Sequence, residues 1–237
     1  MFEGIIKDWI MEDISPKIDR SQYGNQKGTS TEHVMVKLMD RIFQLLDNNN
    51  NCSAVKASLV DWASAFDRQD PTLAIEKFIK MGVRPALIPV LVSYLTDRQK
   101  VRYNNIYSST YSLPGGGPQG TLLGLIEYFV QSNDNANCVD PDLRFKFVDD
   151  LTVLELVMMA GLLTEYNFKL HVASDIGIDE HYIPATSLKT QENLDNIAQW
   201  TDLNMMKINE DKTKYMVFSR SETEVATRLA VNSRTID

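Results

Sequence analysis

Cysteine is scarce: only Cys52 and Cys138 occur in 237 residues, far apart and outside any Cys-x-x-Cys or Cys/His spacing. That argues against a disulfide framework and a structural zinc site, and leaves both thiols as small, reduced packing residues. Long apolar runs are missing as well. No tract approaches the ~18 consecutive apolar residues of a membrane span, so no transmembrane segment is expected. Met1 to Ile14 mixes acidic with apolar side chains and has neither a basic n-region nor a small-residue cleavage site. It does not read as a secretory signal, so an intracellular chain is expected, with nucleus and cytoplasm both open. Positive charge is in deficit too, with 24 Lys and Arg against 32 Asp and Glu, a net charge of −8. Phosphate binding ordinarily leaves a basic footprint, so a nucleic-acid function must be reconciled with that balance.

What remains, 43% hydrophobic and 24% charged residues, suits one compact unit with an incomplete neighbour. Thr29-Ser30-Thr31-Glu32 is a capping-box pattern ahead of Met35, Leu38, Met39, Ile42, Leu45 and Leu46 at helical spacing. Ala54 to Trp62 reads as a buried strand. Asp70 and Pro71 open a helix that Gly82 closes. Pro85 to Tyr94 is a further helix, and Gln99 to Tyr111 is a hairpin turning at Asn104-Asn105. After a Gly/Pro-rich loop, Thr121 to about Val130 is an apolar helix and Ser132 to Asp142 a polar connection. Leu143, Phe145 and Phe147 alternate with Arg144 and Lys146 in a strand running into Asp149-Asp150, and Thr152 to Leu154 returns. Glu165 to Thr190, with His171 and His181, is turn-rich and reads as a loop or insertion carrying no metal-ligand set. Gln191 to Leu203 is a helix, Tyr215 to Phe218 a last strand, and Ser219 to Asp237 a polar tail. These patterns predict an α+β fold in which helices cover one face of an antiparallel sheet.

Three carboxylates then stand at strand ends: Asp61 after Leu59-Val60, and Asp149-Asp150 after Phe147-Val148. An Asp at a strand end is more often a turn former, so the doublet has little weight alone. Carboxylates on adjacent strand tips do suit phosphoryl transfer by two magnesium ions roughly 3.5–4 Å apart. Magnesium takes only one or two protein carboxylates and completes its octahedron with water and phosphate. Gly115, Gly117 and Gly120 satisfy G-x-G-x-x-G, but Pro118 removes a backbone donor and no acidic residue follows at the end of a second strand about 20 residues on, which argues against a dinucleotide-binding turn.

The words around the acids agree with one another. Leu59-Val60-Asp61-Trp62-Ala63-Ser64-Ala65-Phe66-Asp67, Gly117-Pro118-Gln119-Gly120-Thr121 with Leu123-Gly124, Phe147-Val148-Asp149-Asp150, Asn209-Glu210-Asp211-Lys212-Thr213-Lys214, and Gln22-Tyr23-Gly24 through Lys27 to Thr31 occur in one order. This ordered set resembles the motifs of reverse transcriptases of non-LTR retrotransposons, from about Gln22 to Phe218. The resemblance implies a polymerase palm over residues 54–220, with 165–190 as a loop or insertion. Residues 1–53 would be partial fingers, the thumb would be missing and 221–237 would be a tail, in a chain truncated at both ends. It implies RNA-directed DNA synthesis with an RNA template, a DNA primer and dNTP, and two Mg²⁺ ions, Mn²⁺ being the alternative. Asp61, Asp149 and Asp150 would be catalytic metal ligands and Lys212 a charge stabiliser or proton donor at the leaving pyrophosphate. Phe66 would collide with a 2′-hydroxyl and so favour deoxynucleotides. Gly117, Pro118, Gln119, Gly120, Phe147 and Lys27 would complete substrate binding.

The missing fingers and thumb would account for the acidic balance, leaving Arg98, Lys100, Arg102, Arg144 and Lys146 as the basic supply. Leu125-Ile126-Glu127 departs from the family's Pro-Leu-Leu-Phe. An RNA-dependent RNA polymerase shares the palm chemistry, and a catalytically silent palm that binds RNA or protein is the reading from another class.

Overall fold

In the computed structural model, residues 2–47, 53–96, 98–112, 115–158, 186–219, 229–231 and 234–236 are described. The chain opens with α1 (Phe2–Ile14), a helix that the mixed composition of the segment concealed. Ile6, Ile10 and Ile14 recur every fourth residue and are buried, forming one apolar stripe. Helix α2 (Thr31–Asp47) follows. Its cap differs from the expected box: the Ser30 hydroxyl accepts from the His33 amide at 3.4 Å. Thr29 instead donates to the carbonyls of Tyr23 and Gln26.

Strand β1 (Ser53–Val60) leads to α3 (Pro71–Lys80), where Asp70 Oδ1 accepts from the amides of Thr72 (2.8 Å) and Leu73 (3.0 Å). Gly82, with φ +85°, ends that helical unit as its composition required. After a 3₁₀ turn at Pro85–Leu87 comes α4 (Ile88–Leu95). Four short strands then make a two-step hairpin: β2 (Arg98–Gln99) pairs with β5 (Tyr111–Ser112), and β3 (Arg102–Tyr103) with β4 (Ile106–Tyr107). Asn104 and Asn105 both take positive φ at the tip, the backbone of a type I′ turn.

Helix α5 (Leu122–Gln131) is capped by Thr121, whose hydroxyl accepts from the Gly124 amide at 3.1 Å, and it is buried on nearly every side. Strands β6 (Arg144–Phe147) and β7 (Asp150–Met158) form a tight hairpin. Helix α6 (Thr186–Leu203) begins before Gln191, so the last residues of the expected 165–190 loop are helical. The rest of that loop, with His171 and His181, lies outside the described residues. Strand β8 (Lys214–Ser219) follows, and the tail that reads as merely polar holds a further pair, β9 (Leu229–Val231) and β10 (Arg234–Ile236).

The main sheet is antiparallel with order β6-β7-β1-β8. Helices back both of its faces rather than one, and β1 is buried on both sides. Val55 and Ala57 meet Val34, Ile42 and Leu46 of α2, together with Phe145 and Leu154. On the other face Val60, Leu151 and Val153 meet Tyr128 of α5 and Leu194 and Ile197 of α6. A second helical layer, α1, α3, α4 and α5, closes around Ile10, Phe78, Leu91 and Ile126. No helix among the described residues is long and apolar enough to cross a membrane.

The α6-facing side of the sheet also holds charge. Lys56 and Glu155 are cross-strand partners, both buried, with Lys56 Nζ 5.6 Å from the Tyr215 ring centroid. Arg144 and Lys146, counted from the sequence in the basic supply, are buried too and close on Asp19. Arg144 Nη2 reaches Asp19 Oδ1 at 3.0 Å and Lys146 Nζ reaches Oδ2 at 2.6 Å. Burial alone would raise the Asp19 carboxyl; Lys146 and Arg144 reverse that and hold it at about 2. Neither cation is therefore free to meet a phosphate.

Candidate active site

Strand register brings the separated acids to one edge. Val60 is the Cα partner of Leu151, so Asp61, one residue on, leaves the sheet beside Asp150. Phe147 pairs with Asp150 across the two-residue turn Val148-Asp149, which puts Asp149 at the adjoining tip. Asp61 is half-buried and the other two are exposed. The three act on common neighbours. Although Asp150 is exposed to solvent on one side, partial desolvation against the sheet edge, followed by Asp149 and Asp61, raises its carboxyl above the usual range. The Tyr128 phenol, buried beneath them, is pushed well up by burial and then by Asp149, Asp150 and Asp61.

Among the described residues no group of three or more His, Cys, Asp or Glu side chains forms a ready-made metal cage. The donor set nevertheless fits magnesium, which needs only one or two protein carboxylates. Asp61 Oδ2 is buried with no hydrogen-bond partner in the protein, an acceptor left open in a position where such groups are normally satisfied.

The backbone of Asp61 is pinned by the segment that follows α6. Its amide donates to Thr213 Oγ1 (3.3 Å) and its carbonyl accepts from the Asn209 amide (2.8 Å). Trp62 bridges Ile208, and the Ala63 amide donates to the Lys207 carbonyl. Lys212 lies exposed on this turn, its own amide bonded to the Asn209 carbonyl. The Asn-x-x-Lys-Thr word is therefore stitched beside the first carboxylate, and Thr213, fully buried, is the clamp.

Past Asp61 the chain turns to present Phe66, half-buried, with its ring centroid 5.0 Å from that of Tyr128. The Gly-rich loop docks on this turn. Gly117 donates to the Phe66 carbonyl and Gly116 to the Gln69 carbonyl, each at 2.8 Å, and Gln119 Nε2 donates to Asp67 Oδ1 at 2.8 Å. Gly117 lies in close approach: a β-carbon there would meet Gln69 Oε1 at 1.7 Å and Glu127 Oε2 at 2.9 Å, so these buried side chains would have to shift to admit one. Pro118 and Gly120 complete the loop, with Gln119 and Gly120 exposed.

Phe147 is half-buried against the α2-side core. Lys27 is exposed on the turn after Gly24. Gln22 to Gly24 reach the carboxylate hairpin directly: Tyr23 donates to the Lys146 carbonyl (2.8 Å), and Gln22 Oε1 accepts from the amides of Gly24 (2.9 Å) and Val148 (3.3 Å). The structure thus assembles Asp61, Asp149, Asp150, Phe66 and the Gly117–Gly120 loop, with the Lys212 turn alongside.

Sequence reasoning missed Tyr128 and the pair Gln69 and Glu127. Tyr128 is one residue from the noted departure at Leu125-Ile126-Glu127. Glu127 is fully buried with both carboxylate oxygens unpartnered, and burial raises it to about 7. Gln69 is buried against the same glycine.

No family model matches the chain. Two curated Drosophila melanogaster proteins are similar to it: a probable RNA-directed DNA polymerase from transposon BS, 36% identical over 141 residues, and one from transposon X-element, 26% identical over 137 residues. Each match covers 56% of this chain and 15% of the relative, so the chain matches only a small part of those proteins' length. Among solved structures, the apo telomerase of Candida tropicalis truncated from its C-terminal domain has a TM-score of 0.60 at 11% identity, covering 96% of this chain and 42% of that one. The Candida albicans telomerase in complex with a TWJ fragment of telomeric RNA has a TM-score of 0.61 at 12% identity, covering 97% and 36%. These two structures share the fold.

Proposed function

We propose that this chain, which belongs to the reverse transcriptases of non-LTR transposons, is the catalytic palm of an RNA-directed DNA polymerase. It joins dNTP to a DNA primer's 3′-hydroxyl on an RNA template. Residues 54–220 are its palm and 1–53 part of its fingers. The observation that carries the reading is the Val60–Leu151 register, which sets Asp61 beside Asp149 and Asp150 at one sheet edge.

Asp61 and Asp149, with Asp150 assisting, would hold the magnesium ions, with manganese as the alternative. Such ions, when bound, activate the attacking hydroxyl and stabilise the departing pyrophosphate. The open Oδ2 of Asp61 supports this assignment. Phe66, braced by Tyr128, excludes a 2′-hydroxyl from the sugar position. Gln119, tethered by Asp67, orients the nucleotide or template pair, while Gly117 and Gly120 let the loop backbone approach and Pro118 stiffens it. Lys212 meets charge developing on the pyrophosphate. Lys27 holds phosphate from the fingers side, and Phe147 supports the nucleotide from the strand before the acids.

The test is magnesium-dependent incorporation of labelled dNTP on an RNA template primed with DNA, run beside Asp149→Asn. Incorporation by the wild type and its loss in the variant are expected. Equal signal from both proteins removes the site.

A further inference from the structure

Between Asp97 and Glu127 the sequence holds no acidic residue, whereas Arg98, Lys100 and Arg102 crowd its first positions. In a chain of net charge −8 this is a local reversal of sign. The same stretch folds as the hairpin from β2 to β5 and turns its aromatics to solvent: Tyr103 is 76% exposed, Tyr107 59% and Tyr111 69%. Lys100 and Arg102 are exposed with them.

Pairing sorts these side chains. Arg102 is opposite Tyr107, its guanidinium 5.7 Å from the ring centroid, while Tyr103 is opposite Ile106. Strand alternation sends the two pairs to opposite faces, so each face carries one tyrosine. Arg102 Nη2 donates to Asn105 Oδ1 at 2.5 Å, and among the described residues no carboxylate pairs with Arg102 or Lys100. Arg144 and Lys146 are consumed by Asp19 in the interior, which leaves this hairpin as a cationic surface near the strand-end site. Nearness follows from chain length. Ser112 is four residues before Gly116, which docks on Gln69, and four residues span at most about 14 Å.

Exposed tyrosines beside unpaired cations match a nucleic-acid strand, since bases stack on the rings and phosphates meet the charges. We propose that the Arg98–Ser112 hairpin is a sequence-independent contact for an unpaired nucleic-acid strand, with Lys100 and Arg102 on phosphates and Tyr103 and Tyr107 as stacking platforms. It rests on the polymerase reading, whose template is the strand held.

The test is fluorescence anisotropy of a labelled oligouridine against the whole chain across a salt series. Tyr103→Ala with Tyr107→Ala weakens binding by about tenfold. Lys100→Gln with Arg102→Gln flattens the slope of log affinity against log salt by about 1.4, at ~0.7 for each phosphate lost. Arg102→Glu weakens binding beyond Arg102→Gln. All these side chains are exposed, so the variants melt as the wild type does. Wild-type affinity and slope in the hairpin variants overturn the proposal even where dNTP incorporation is intact, as does an absence of binding by the wild type. Weakened binding in those variants alongside no incorporation by any protein upholds the hairpin and defeats the polymerase reading.

Discussion

Gly24 lies against the backbone of Val148 at the tip of the β6–β7 hairpin, where a β-carbon on Gly24 would stand 2.3 Å from the Val148 nitrogen. Val148 itself has φ +55°, a left-handed value uncommon for a β-branched residue, and Gln22 Oε1 holds its amide. The segment from Ser21 to Gly24 therefore fixes the turn that presents Asp149. Its role is to shape the site from outside the acid-bearing strands.

Gly24→Ala is predicted to displace that turn, because the obstructing atom is backbone and cannot swing aside. The overpacking costs about 1–3 kcal/mol in urea denaturation, with a larger proportional loss of dNTP incorporation. A variant with wild-type stability and incorporation would show that this contact does not set the turn.

Phe66→Ala tests sugar selection. Phe66 is half-buried against Tyr128, so the fold survives while the barrier to a 2′-hydroxyl is removed. The ratio of kcat/KM for dNTP to that for NTP is predicted to fall by about tenfold or more, in the range by which one pocket contact discriminates. An unchanged ratio assigns Phe66 to packing alone.

Asp19→Asn removes the counter-charge from buried Arg144 and Lys146. Breaking a buried ion pair on one side costs about 3–5 kcal/mol, so the variant is predicted to unfold at much lower urea. Since the folded carboxyl is held at about 2, below its ordinary 3.8, its stabilisation is present above that ordinary value and is lost as pH falls through about 2. Wild-type urea midpoints should therefore drop in that acid window and those of the variant should not drop with them.

Glu127 has the opposite sign. Burial raises it from 4.5 to about 7, so the protonated form is favoured in the fold. Its contribution is fully present below 4.5 and is lost as pH rises to about 7, an effect of about 3 kcal/mol. Glu127→Gln, neutral at every pH, is predicted to be more stable than wild type at pH ~8 and to lose this part of the slope. Glu155, also raised to about 7 by burial although Lys56 opposes the shift, keeps a slope of its own in both proteins. Identical pH profiles for wild type and Glu127→Gln would contradict the assignment.

Much of this was legible in the residues. Asp70-Pro71 and Asn104-Asn105 specify their turn and cap by local chemistry, and the apolar runs of β1 and β7 declare buried strands. Helix α1 was hidden because Phe2, Ile5 and Trp9 lie exposed on its outer side and blur the Ile6, Ile10, Ile14 stripe. Alternation in β6 separates Arg144 and Lys146 from the phenylalanines, yet it cannot say that the second face is also covered or that Asp19 supplies the counter-ion. The acids that meet at one sheet edge were singled out by their flanking words. Tyr128, Gln69 and Glu127 were not, because their positions beside Asp61 and Gly117 depend on how α5 and the Gly-rich loop dock on the turn after Asp61, which spacing does not encode.

Asp61 and Asp149, far apart in sequence, are proposed to form one metal-holding site. Titration of Mn²⁺ into the chain, followed by electron paramagnetic resonance, tests it without requiring turnover. Asp61→Asn and Asp149→Asn are each predicted to weaken the same binding, and the double variant to lose little more than either alone. Undiminished Mn²⁺ binding in both single variants would contradict it.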